Sequence, residues 1–183
     1  MINLSPSESQ ALRDVAARLG VPSGWLAAVI NFETAGTWNP TIKNPNSSAR
    51  GLIQFLDATA RDLGYDSALA LVTANPTIES QLRGPVLKYF LKHGPKFKSK
   101  QDLWFSVFLP RYKNAPHSTV IYADDLAKQA KFRRANPGIK TVGDYYNKLE
   151  KLFDSAKINY LPAITVLAVG FFVIRAIMRG ANG

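Results

Sequence analysis

Apolar side chains recur at intervals of three and four along most of this chain, the period of helices with one face in a core. The first such set is Leu12, Val15, Ala16 and Leu19. Ser5, Pro6 and Glu8 precede it in the order of a capping box, and Gly20 closes it. A second helix is predicted from Pro22 or Ser23 through Trp25, Leu26, Val29, Ile30 and Phe32 to about Thr34, with Glu33 in its last turn and Gly36 as the stop. After a loop rich in Pro, Asn and Ser (39–48), apolar residues return at Leu52, Ile53, Phe55 and Leu56, and the pattern predicts a helix running on to Leu63 before Gly64. Further helices are expected at about 66–73, from Asn75–Pro76 onward with a break or kink at Gly84–Pro85, and after Ser99 with Asp102 three residues on. Two more are expected at about 121–134 and 142–157, the latter capped by Thr141 with Asp144. No run of alternating positions and no internal repeat is present, so the fold class is mainly α.

The end of the chain breaks the pattern. Leu161 to Ile174 is a run of fourteen residues without a charge, followed by Arg175 and Arg179. Counted from Ile158 to Met178, with Arg175 reaching the headgroups, the stretch approaches the roughly 20 residues that cross a bilayer. It is expected to be a C-terminal transmembrane helix, with a buried terminal helix as the alternative. Cations lie on both sides of it, so the charge rule gives no orientation. The expected organisation is one helical domain over 1–150, then a linker helix and anchor over 151–183.

Charge adds a second asymmetry. The chain carries 23 Lys and Arg against 13 Asp and Glu, a net charge of +10. Residues 1–90 are balanced at seven of each sign, while residues 91–183 hold sixteen basic and six acidic side chains, so the whole excess is C-terminal. Such an excess suits an anionic partner. The basic loop Lys92–Lys100 is a solvated face or a site for anionic wall polymer, phospholipid or packaged DNA, and nothing resembles a nucleic-acid-reading motif. There is no cysteine, and His93 and His117 stand apart from other ligand types, so neither a metal nor any other cofactor is expected. The N-terminus lacks the basic start and apolar core of a secretory signal.

Glu33 is the residue with chemical promise. Carbonyl oxygens at a helix C-terminus and an apolar wall such as Phe32, Val29 and Trp25 both favour the neutral form of a carboxyl. A protonated glutamic acid is what glycoside cleavage needs at the leaving oxygen. Its surroundings sharpen the idea. The segments FETAGTWNP (Phe32–Pro40) and KNPNSSARGLIQF (Lys43–Phe55) resemble the active-site signature of the lytic transglycosylase and goose-type lysozyme superfamily. Glu33–Thr34, Trp38–Asn39–Pro40, Ser47–Ser48–Ala49 and Gly51–Leu52–Ile53–Gln54 match its four elements in order, with Ile53 where Met is common. The spelling is similar to the bacteriophage branch. Weaker likeness continues through Asn75–Pro76, Tyr89–Phe90, Leu103–Pro110 and the segment from Asn136, covering about residues 8–150.

The resemblance implies a lysozyme-like helical domain that cleaves the MurNAc–GlcNAc bond of peptidoglycan. It assigns Glu33 the role of acid and then base, with the sugar's own 6-hydroxyl closing an anhydro ring and no metal required. Gln54 corresponds to the amide that lines the cleft. Ser47 and Ser48 either orient the Glu33 carboxyl or the substrate, or cap a helix beginning near Ala49. Gly51 allows either close approach of the sugar or tight packing. The family's later tyrosine has no clear counterpart, leaving Tyr112 and Tyr122 as candidates, with core packing the ordinary alternative for each. Trp38 and Trp104 are candidates for sugar stacking or for the core. Asp57, near the motif glutamine, keeps a hydrolytic lysozyme open as the runner-up. A third reading is an inactive, basic structural membrane protein of a virion. The expected partners are peptidoglycan, a lipid membrane through the C-terminal helix, and other virion proteins. The expected location is a virion membrane or the host envelope, as a single-pass protein without a signal peptide.

Overall fold

The computed structural model describes residues 4–93 and 97–158, and over these the protein is mainly helical. Helix α1 (Pro6–Leu19) begins as its sequence dictates: the Ser5 hydroxyl accepts from the Glu8 N–H, and the Glu8 carboxylate accepts from the Ser5 N–H at 2.8 Å. It ends at Gly20, which takes the left-handed conformation at φ 67°. Its buried stripe, Ala11, Leu12, Val15, Ala16 and Leu19, faces α2 (Ser23–Glu33), bent 113° away from it.

The segment between α2 and α3 (Asp57–Asp62) departs from the helix expected over 52–63. Residues 42–55 form nested turns, with Lys43 bridged to Arg50 and Arg50 to Phe55. Leu52, Ile53 and Phe55 are each 1% exposed or less, which is why their spacing reads as helical. They are buried from a tight turn, in which Gly51 and Gln54 have φ of 77° and 54°. A continuous helix cannot hold two such residues.

Helices α4 (Ala68–Ala74) and α5 (Ile78–Gln81) follow, capped by the hydroxyls of Ser67 and Thr77. The expected break at Gly84–Pro85 is a π-type turn over Leu82–Val86, where Gly84 leaves helical geometry, and α6 (Leu87–Lys92) resumes the helix. Helix α7 (Lys100–Phe108) is the most buried element, with every residue from Asp102 to Phe108 out of water. It packs on α2 through Trp104 against Phe32, ring centroids 4.2 Å apart, and on α6 through the Tyr89 hydroxyl, which donates to the Ser106 carbonyl.

After a short 3-10 turn (Pro110–Tyr112), helix α8 (Leu126–Ala135) starts five residues later than the pattern suggested. Tyr122 sits at φ 55°, incompatible with a helix, and Asp125 supplies the cap. Helix α9 (Val142–Ile158) is capped by Thr141 and Asp144 as expected. Phe105, Phe108 and Phe132 gather round Tyr145 of α9 and close the core. Among the described residues no single helix is long and apolar enough to cross a membrane. The anchor expected over 158–178 lies, apart from Ile158, outside the described residues.

Candidate active site

Glu33 is the last residue of α2, and it is 3% exposed although charged residues belong at surfaces. It is followed by Thr34, which is fully buried. The Thr34 hydroxyl donates to the Ile30 carbonyl at 2.8 Å and accepts from the Trp38 N–H at 3.1 Å. That pair of bonds closes α2 and folds the next four residues back under its end. Trp38 is held at its other end as well, its indole N–H donating to the Asn31 side chain at 3.2 Å. Both Trp38 and Trp104 lie in the core.

The backbone here is under strain. Ala35, Trp38 and Gln54 have φ of 52°, 53° and 54°, the left-handed region that residues with a Cβ avoid. Such conformations persist only where surrounding structure over-determines them. The restraint comes from Gln81 at the end of α5. Its buried side chain accepts from the Leu52 N–H at 2.9 Å and donates to the carbonyls of Pro40 and Asn75. One amide thus joins the loop after Glu33, the Gly51–Gln54 turn and the end of α4. Gln81 belongs to no motif in the sequence; its one local signal is an amide between Ile78 and Leu82 on an otherwise apolar helix face.

Gly51 takes its meaning from the same contact. A Cβ there would lie 2.7 Å from the Gln81 Oε1 and 3.1 Å from Val72, so packing and φ both require glycine. The Gly51 carbonyl accepts from the Gln54 side chain at 3.1 Å, while the other end of that amide, Oε1, is buried with no hydrogen-bond partner among the described residues. The serines do local work. Ser47 accepts from the Ala49 N–H and Ser48 from the Asp57 N–H, so Ser48 caps α3 rather than a helix starting at Ala49. Neither of these bonds is to the Glu33 carboxyl, which was one of the roles open to the two serines. Asp57 accepts from the Ala68 N–H at 2.8 Å, which commits one carboxylate oxygen to the start of α4.

Tyr112 and Tyr122 form a unit of their own. The Tyr112 hydroxyl accepts from the Tyr122 N–H, their rings meet edge to face at 5.7 Å, and the Arg111 guanidinium lies over both. Each is 5% exposed or less. Tyr112 is thereby occupied in holding Tyr122 at its positive φ. Burial pushes the Tyr122 phenol up to about 12. No protein-family model, curated protein or solved structure matches the chain.

Two outcomes follow from this geometry. Gly51→Ala should lose about 2 kcal/mol or more in urea unfolding, and part of that penalty should vanish in a Gln81→Ala background, where the clashing oxygen is gone while the φ strain and the Val72 contact remain; additive losses would contradict the contact. The Tyr122 phenol ionises near 10 in the unfolded chain and near 12 in the folded one. Its contribution to stability is therefore complete below pH 10 and is lost as pH rises from 10 to 12. Tyr122→Phe should flatten that part of the pH–stability curve measured by thermal melting.

Proposed function

We propose that this chain is a lytic transglycosylase of lysozyme-like fold, cleaving the MurNAc–GlcNAc bond of peptidoglycan with formation of an anhydro ring. We further propose that residues 158–178 hold it to a membrane and that it acts from a phage particle to open the host wall locally. The observation that carries the reading is the Glu33 carboxyl, withdrawn from water at the end of α2 inside the ordered motif from Phe32 to Phe55.

Burial in general disfavours the ionised form of a carboxyl, and a general acid must carry its proton before the bond breaks. Glu33 donates its proton to the leaving glycosidic oxygen. The resulting carboxylate then takes the proton of the sugar's 6-hydroxyl as that oxygen attacks the anomeric carbon, which restores the acid. This needs one carboxyl and no fixed water. The strained turn ending at Gln54 supports the reading, since strain of this kind clusters where a fixed backbone serves a ligand. The buried Gln54 Oε1 is an acceptor for which the described chain supplies no donor. Hydrolysis would require a second group to activate water, and the nearest sequence candidate, Asp57, is engaged with Ala68.

In peptidoglycan release by the detergent-solubilised full chain, Glu33→Gln should lower the rate by about 100-fold or more with a nearly unchanged melting temperature. Substantial residual activity would refute the assignment. An equal loss in a folded Asp57→Asn variant would move the reading to water-activated hydrolysis.

A further inference from the structure

Of the exposed arginines before residue 120, Arg83 pairs with Asp14 and Glu79 and Arg111 with Asp124, while Arg13, Arg18 and Arg61 are dispersed over the surface and have no ion pair among the described residues. Helix α8 is different. Residues 126–135 contain four cations and no carboxylate. Lys128 is paired with Asp125 at the helix start. Lys131, Arg133 and Arg134 are exposed and have no ion pair among the described residues.

The inner side of α8 is settled: Phe132 is fully buried between Tyr122 and Tyr145, and the Gln129 amide donates to the Tyr122 carbonyl. The outer side carries Leu126, Ala127 and Ala130 among the three unpaired cations. Leu126 is 76% exposed, the highest value among the exposed large apolar side chains described. Arginines in a last turn complement the helix dipole, but that accounts for neither Lys131 nor Leu126. An apolar side chain set among cations on an exposed helix face is the composition that lies on anionic bilayers, with leucine in the headgroup boundary and cations on the phosphates.

We propose that the outer face of α8 docks on an anionic phospholipid surface and lays the domain against the membrane. This rests on the reading of residues 158–178 as an anchor. Helix α9 follows α8 after a six-residue connection and runs to within three residues of the uncharged segment Leu161–Ile174. A domain tethered so closely meets the bilayer at high local concentration, so a few weak charge contacts suffice to set its orientation. A free polyanion would be drawn by the cations alone and would leave Leu126 without a use.

The absence of cysteine makes the test clean. Ala130→Cys in the full chain, carrying an environment-sensitive fluorophore, is reconstituted with vesicles of phosphatidylcholine alone or mixed with phosphatidylglycerol, each containing spin-labelled lipid. Quenching should be about five-fold or more stronger on the anionic vesicles and should fall to the neutral level with Lys131→Ala, Arg133→Ala and Arg134→Ala combined. Equal quenching on both lipids, an unchanged triple variant, or an equal emission shift with double-stranded DNA would overturn the proposal. Flotation after a high-salt wash reports the anchor separately. Loss from neutral vesicles would remove the anchor reading, whereas salt-sensitive flotation on anionic vesicles that the triple variant abolishes would still support the α8 surface.

Discussion

The side-chain amide of Gln81 is the joint on which the arrangement around Glu33 depends. It is fully buried, and its contacts reach the carbonyl of Pro40, the N–H of Leu52 and the carbonyl of Asn75. A buried amide left unsatisfied costs on the order of 1–3 kcal/mol, so each of these segments is held where the amide finds it. The consequences spread outward from there. Gly51 must lack a side chain, the turn to Gln54 must bend through left-handed conformations, and the chain from Thr34 to Pro40 must fold back beneath the end of α2. Glu33 stands where those constraints begin.

How much of this was legible in the sequence depended on the range of the interaction. Helix ends written within four residues were readable: Ser5 with Glu8, Ser99 with Asp102, Thr141 with Asp144, and the break at Gly84–Pro85. The segment Leu52–Leu56 was misread because burial alone, without helical backbone, produces the same apolar spacing. Helix α8 was placed too early because Ile121 and Tyr122 are buried in the turn preceding its cap. The role of Gln81 could not be read locally, since its contacts span 29 and 41 residues. At the site, motif order singles out Glu33 as a candidate, and its burial was legible in its apolar neighbours. The serines and the tyrosine pair, for which the sequence leaves a substrate role and a structural role open, make turn, cap and ring contacts within the chain.

Strain, burial and charge divide the molecule into parts with different demands. The half containing Glu33 is balanced in charge and spends its polar groups internally, through Thr34, Gln81, Ser48 and Asp57. The C-terminal part carries the excess cations, and three of the four on α8 face outward without an ion pair among the described residues. A reaction centre needs fixed geometry and exclusion of water, whereas a membrane-facing surface needs unmatched charge. On the proposed function, one chain would serve both demands by keeping them on different elements.

The central claim is that Glu33 acts alone, as acid and then as base, with the sugar supplying its own nucleophile. Digestion of peptidoglycan by the full chain, followed by mass analysis of the released muropeptides, tests it most directly. The account predicts products ending in 1,6-anhydroMurNAc, lighter by one water than reducing ends. Reducing-end products, or no release by folded protein, would contradict it.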